Sequence, residues 1–427
     1  MKTKSNVLIL FALIGITSML KAQNIDCFVI APPEKSLLNV KKIAILNFEN
    51  FEKNSYYNTY GGSAFVDYLT AKLLDESRGI YALSGGIFGG SKEGKTFIKS
   101  SGINVFKIVE REQLSNILKE KNLGVDVALN DNQAAELGKV LGIDVLLMGT
   151  IKHTYNSNRT LEKYTDGSTT HCTENTCGTE ILIKVVSVEN AQIIATKTIK
   201  NVSSDKKWGK DEGNVLTFEQ LAEKNMKSLA YAAAFYMAPY YVYYKADFRK
   251  IKVKEYKDKA SDIKRFIENE DLKSMYTIYK AIYDADNYNV DAAYNLTLLS
   301  VITGDYISGS NWDKIIYEID SKEFGKANEW AKSWETSANS LKSLGVEIAK
   351  YDFDSKGSSD ALANKVKTKG NKNDRFEVYE KTDRGSTVLV KVPGETEFII
   401  IEKSGDYTKI KLLGGKEGYI SNENVKK

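Results

Sequence analysis

Apolar and polar positions change period along this chain, and the changes mark its elements. Asn39 to Asn50, "NVKKIAILNFEN", holds the apolar run Ile43, Ala44, Ile45 and Leu46 between polar flanks, the pattern of a buried strand. In "SAFVDYLTAKLLDESRG" the period becomes helical: Phe65, Val66, Leu69 and Leu73 share one face, opened by Ser63 and closed by Gly79. "INVFKIVE" predicts a second strand. "REQLSNILKEKNLG" predicts an amphipathic helix with Leu114, Ile117 and Leu118 on one face, and "NDNQAAELGKVLG" a helix leading into the strand "IDVLLMGTIKHT". A polar excursion runs from Tyr155 to Thr179. "EILIKVVSVENAQIIATKTIKN" then predicts two strands turning at Glu189, Asn190 and Ala191. A helical stripe of Phe218, Leu221, Ala222, Met226, Leu229 and Ala233 follows, and Pro239 ends it. Residues 39–238 therefore read as one α/β (α+β) domain.

Residues 254–350 show helical periods only, with Asn and Asp making the turn of a helix pair in "DLKSMYTIYKAIYDADNYNVDAAYNLTLLSVITGDY". This predicts a small all-α domain. The polar stretch 354–374, "DSKGSSDALANKVKTKGNKND", reads as a linker. Beyond it, 375–427 holds short strand-like runs between Gly- and Asp-rich turns, the pattern of a small all-β barrel.

The N-terminus carries an address. Lys2 and Lys4 precede the apolar run Val7 to Leu20, and Ala22 offers a cleavage point, so residues 1–22 read as a signal peptide and the mature chain as periplasmic. Cys27 follows Asp26 where a lipidation signal wants a small residue, so a lipobox is absent and membrane contact is expected to be peripheral at most. A net charge of +4 on 427 residues gives no footprint of a nucleic-acid binder. Cys172 and Cys177 in "HCTENTCGT" leave three readings open. In an oxidising compartment a disulfide pinching a loop leads, ahead of free thiols and of a metal site with His171, since the chain has only 2 histidines.

One segment matches a nucleotide-binding pattern at every position: "GGSKEGKT", Gly89 to Thr96, fits G-x-x-x-x-G-K-[ST]. Its flanks lack what makes the pattern work, since "YALSGGIF" is broken by glycines and Gly102 interrupts the downstream side before any helix. The segment reads as a loop, with no cofactor. Two histidines without a paired nucleophile, and no G-x-S-x-G or H-E-x-x-H, leave no catalytic residues; the expectation is a non-enzyme.

Three stretches resemble known families. "KKIAILNFEN", "FKIVEREQLSNILKEKNL", "AAELGKVLGIDVLLMGTIKHT" and "IKVVSVENAQIIATKTIKN" occur in the order and spacing of the CsgG (curli production) family. That resemblance implies a cell-envelope assembly, secretion or adaptor component in the periplasm or at the outer membrane. The alternative it implies is an oligomeric export channel, a homo-oligomer with Tyr56, Asn58 and Tyr60 at the constriction. The channel reading requires apolar lipid-facing hairpins. The first candidate hairpin has His153, Tyr155, Ser157, Arg159 and Leu161 on one face and Thr154, Asn156, Asn158, Thr160 and Glu162 on the other, and neither suits lipid. "AAYNLTLLSVITGDY" is similar to a tetratricopeptide unit. The tail "VKVPGETEFIIIEKSGDYTKIKLLGGKEGYISNENV" resembles bacterial SH3-like (SH3b) domains, which implies a ligand face with Tyr407 and Tyr419 and, as partners, envelope proteins or cell-wall peptides.

Overall fold

The computed structural model describes residues 23–50, 61–83, 92–109, 131–353, 364–412 and 416–426. The signal-peptide stretch 1–22, the loop 51–60 and the helix expected at 111–124 lie outside them.

The chain opens on β1 (Gln23–Ala31) and continues through β2 (Lys42–Ile45), β3 (Glu49–Asn50), α1 (Gly62–Leu74), β4 (Lys107–Ile108) and α2 (Asp131–Leu141). Next come β5 (Val145–Lys163), β6 (Thr169–Ser187), β7 (Gln192–Trp208), α3 (Phe218–Met237) and β8 (Tyr240–Phe248). One sheet has the order β4-β2-β5-β6-β7, with β3 also on β5. The β4, β2, β3 and β5 pairings are parallel, and β5-β6-β7 is an antiparallel meander. Alternation along β2 and β5 explains the layering. Ile43, Ile45, Val145 and Leu147 point to α1 and α3, while Ala44, Leu46 and Leu146 point to α2. Phe65, Val66, Leu69 and Leu73 of α1 are all buried, as are Met226, Leu229 and Ala233 of α3, so both helical stripes face the core as their spacing requires. A capping box of Thr217 and Gln220 fixes the start of α3. The turn between β6 and β7 falls at Glu189–Ala191, where Ala191 takes a positive φ of 53°. The strand expected in "INVFKIVE" shrinks to β4, two residues long.

β1 and β8 lie outside the bounds 39–238 and 254–350. They pair antiparallel over their whole lengths, Gln23 opposite Phe248 and Ala31 opposite Tyr240. This ribbon is the floor on which the helices pack. Those helices are α4 (Lys257–Glu268), α5 (Leu272–Ala285), α6 (Val290–Ile302), α7 (Tyr306–Ile319) and α8 (Ala327–Ser343). Asp271, Asn289 and Asp305 cap α5, α6 and α7 by accepting from backbone N–H groups at 3.1, 3.1 and 3.0 Å, so Asn and Asp make the turns as their placement suggests. α6 is buried on nearly all sides because α5, α7 and the β1–β8 ribbon surround it. Cys27 sits fully buried mid-strand in β1, opposite Tyr244, and its thiol is pushed up to about 12, first by burial and then by Asp26.

The tail is β9 (Lys365–Thr368), β10 (Arg375–Tyr379), β11 (Val388–Pro393), β12 (Glu397–Ser404), β13 (Tyr407–Lys411), β14 (Glu417–Ser421) and β15 (Val425–Lys426). Two expectations change here. The strands form one sheet of order β11-β10-β14-β13-β12-β9-β15, and among the described residues its end strands do not pair to close a barrel. The stretch 354–374 is also not all linker. β9 pairs with β12 and β15, and Thr368 is fully buried with its hydroxyl donating to Pro393 O at 2.8 Å. Val366 alone between lysines gives β9 too little apolar signal to register as a strand.

Candidate functional site

β5, β6 and β7 run on past the body of the sheet as a three-stranded ribbon built largely from the residues of the polar excursion. Residues directly opposite across a ladder share a face. One face carries Tyr155, Ser157 and Arg159 opposite Cys177, Asn175 and Thr173, and the chain between β7 and α3 folds back over it. Glu212 of that return takes Arg159 as an ion-pair partner and a hydrogen bond from Thr173, which hold its carboxyl down at about 2. Asn175 donates to Leu216 O at 2.9 Å, and Leu216 N donates to Asp205 at 2.9 Å. The other face shows Asn156, Asn158 and Thr160 to solvent. There Glu162 accepts from both Lys206 (2.6 Å) and Trp208 Nε1 (2.8 Å).

A buried polar network roots the ribbon on α3. Asn225 is fully buried and uses its whole amide: Nδ2 donates to Cys177 O (2.8 Å) and to Thr179 Oγ1 (3.1 Å), while Oδ1 accepts from Asn201 (2.9 Å). His153 Nδ1 lies 2.9 Å from the same Thr179 hydroxyl, and its ring meets Phe218 edge-on at 5.6 Å. Gly61, where the chain returns from the loop carrying Tyr56, Asn58 and Tyr60, stands against this root. A Cβ on Gly61 would lie 2.6 Å from Met226 Sδ and 3.4 Å from His153 Nε2. Those three loop residues themselves fall outside the described residues. Sequence reasoning missed Asn225 because an Asn inside an apolar helical stripe carries no sign of its partners.

The cysteine reading is corrected. All three cysteines are free thiols and buried. Cys172 and Cys177 share strand β6, five positions apart, so the pleat sends them to opposite faces and extended backbone separates them by roughly 16 Å, beyond a disulfide's reach. The spacer "TENT" is strand, not loop. Burial raises the Cys177 thiol. Among the described residues no three His, Cys, Asp or Glu side chains gather as a metal site.

The described part of "GGSKEGKT" is extended chain. Lys92 pairs with Leu83, Lys95 O accepts from Phe28 N at 2.8 Å on the edge of β1, and residues 93–99 contain no helix. Lys95 is ion-paired with Glu270 at the turn before α5. Phosphate cradling needs amides converging at a helix N-terminus, and here the Lys95 carbonyl is bonded to β1 and the Lys95 ammonium to Glu270 instead.

In the tail, Tyr407 and Tyr419 lie on one face of the sheet, as the ladder places Lys409 opposite Tyr419 and Ser421 opposite Tyr407. A third ring joins them: Tyr379 pairs with Tyr419 across β10–β14 and meets Tyr407 edge-on at 6.2 Å. Its signal was the alternation of Val378 and Tyr379 in "RFEVYEK". Charges frame the rings in matched pairs, Lys391 with Glu377 (3.0 Å), Lys409 with Glu417 (2.7 Å) and Arg384 with Glu423.

The fold and ribbon define a mixed α/β unit with an antiparallel extension. Residues 98–230 match the family model described as "Curli production assembly/transport component CsgG". No curated protein matches the chain. Among solved structures, the LpoB C-terminal domain from Salmonella enterica is similar at 10% identity, covering 39% of this chain and 84% of that one, with a TM-score of 0.21. The PelC dodecamer from Paraburkholderia phytofirmans is similar at 11% identity, covering 48% and 97%, also with a TM-score of 0.21. Likenesses this weak carry no argument about this chain.

Proposed function

We propose that this protein is a non-enzymatic adaptor or accessory component of envelope assembly or secretion, working in the periplasm at the outer membrane. The match of residues 98–230 to the CsgG family model supports the setting. The ribbon carries the choice between adaptor and channel. A membrane-spanning hairpin must present an apolar face over ~9–11 residues per strand, and a lysine or arginine facing lipid at the midplane costs about 2–4 kcal/mol. Here one face shows Asn156, Asn158 and Thr160 to solvent, and the other exposes Ser157 and Arg159, with Arg159 ion-paired to Glu212 and Asn175 bonded to Leu216 O, so neither face is an apolar one. No helix among the described residues is long and apolar enough to cross a membrane.

The helical unit and the tail supply contact surfaces in this reading. Asp271 and Asp305 cap α5 and α7, alternate helices of the unit, each with a Ser three positions on, about 34 residues apart, which is the period of a tetratricopeptide unit. The half-buried rings of Tyr407 and Tyr419, backed by the buried Tyr379, offer an aromatic face to envelope proteins or cell-wall peptides. Fractionation tests the proposal. Release of the mature protein by osmotic shock or salt supports the adaptor; a requirement for detergent, with rings in electron micrographs, overturns it in favour of an export channel.

A further inference from the structure

We propose that the helical unit contains an acid-tightened latch: the Asp313 carboxyl, sealed where α6, α7 and α8 meet, holds α8 in place when protonated and loosens it when ionised. Asp313 is 1% exposed, and neither of its carboxyl oxygens has a hydrogen-bond partner. Thr297 of α6 and Trp334 of α8 turn donors toward it and pull its titration down, against the larger effect of burial, but neither meets full hydrogen-bond geometry, and the Thr297 hydroxyl donates to Ala293 O at 3.4 Å. One turn earlier on α7, the Ser310 hydroxyl is also fully buried and unpartnered. An ionised carboxylate in such a seal lacks both water and a counter-charge, whereas a protonated one does not need the counter-charge.

The surrounding groups do not supply that charge. From β8 come Tyr244 and Asp247, from β1 the Cys27 thiol, from α6 Tyr294, and from α8 the indole of Trp334. Burial raises Tyr244, Tyr294 and Cys27, so all three are neutral at physiological pH. Asp247 faces Lys245 at 3.2 Å, and Arg249 is held by Glu323 and lies over the rings of Tyr294 and Phe324. Lys314 and Glu335 pair at 3.2 Å on the exposed rim of the same seam. Burial accordingly pushes the Asp313 carboxyl from 3.8 up to about 7.

The latch reaches beyond its own seam. Trp334 stacks on Tyr306 at 5.6 Å, and the Tyr306 hydroxyl donates to Ile30 O of β1 at 2.7 Å, so loosening α8 frees one of the contacts that seat the helices on the ribbon. A carboxyl raised in the closed state stabilises that state fully below its solvated value. The stabilisation drains away as pH rises from about 4 to about 7 and then stays flat. Between about pH 5 and about pH 7 the opening equilibrium increases about fifty-fold when the open state is fully solvated.

Hydrogen exchange of the full chain, corrected for intrinsic rates, reads this in peptides of α8. The wild type is expected to show that rise in opening, and Asp313→Asn to show an opening independent of pH over the same range. An equal rise in both overturns the latch. Should Asp313→Asn fail to fold, titration of the Asp313 carboxyl in the wild type by infrared or NMR decides: a midpoint near about 7 supports the latch, and one below about 5 overturns it.

Discussion

Replacing Arg78 with methionine should loosen the first unit where it meets the β1–β8 ribbon. Arg78 is fully buried, and its guanidinium donates to Lys72 O and Leu73 O (2.8 Å each), to Ile103 O (2.9 Å) and to Pro239 O (2.9 Å). It thus closes the C-terminus of α1 and ties it both to the chain entering β4 and to the start of β8. Burial lowers its pKa to about 10, with Asp75 opposing, so it stays charged at neutral pH. Its neighbour Gly79 has φ 100°, and a Cβ there would lie 2.0 Å from Tyr241 O, while Tyr241 N donates to Arg78 O at 2.8 Å. Methionine keeps the stem's volume and orphans four carbonyls. At about 1 kcal/mol each this costs about 4 kcal/mol, and relief of the buried charge offsets part, leaving about 2–4 kcal/mol. Denaturant unfolding followed by circular dichroism measures the loss, read on the transition of the first unit. A change below about 0.5 kcal/mol would refute the claim that these carbonyls depend on the guanidinium.

Asn225→Leu removes the amide shared by Cys177 O, Thr179 Oγ1 and Asn201, and should destabilise the first unit by about 2–4 kcal/mol in the same assay; a loss under about 1 kcal/mol contradicts the network. Thiol titration without reductant should find 3 thiols after unfolding and almost none in the native protein, whereas a disulfide would leave one. Lys95→Ala should leave nucleotide binding absent before and after, and a double-mutant cycle with Glu270→Ala should give a coupling of about 1 kcal/mol or less, because both side chains are more than a third exposed. ATP binding that depends on Lys95 would revive the phosphate-loop reading.

Where periodicity and burial coincide, this fold was legible from its sequence. The stripes of α1 and α3, the apolar runs of β2 and β5, and the Asp and Asn caps of the helices all follow from local pattern alone. Features set by distant partners were not. β1 is an edge of nine residues whose mate β8 is rich in tyrosine and follows the proline that closes α3, so neither looks like half of a ladder. The ribbon's strands hold polar residues on both faces, because Glu212, Leu216 and Asp205 satisfy one side and water the other. Spacing suggested a pinched loop at Cys172 and Cys177, and the ladder made it a strand. The aromatic face was half legible: Tyr407 and Tyr419 came with the family pattern, while Tyr379 joins them only through the β10–β14 pairing.

The central claim is that the β5–β6–β7 ribbon stands in water. A polarity-sensitive fluorophore attached at Asn158→Cys on the ribbon's solvent face tests it in isolated envelopes, the native cysteines being buried. The account predicts aqueous emission that a lipid-borne quencher leaves unchanged. Blue-shifted emission, quenched from within the bilayer, would contradict it and make the ribbon a membrane hairpin.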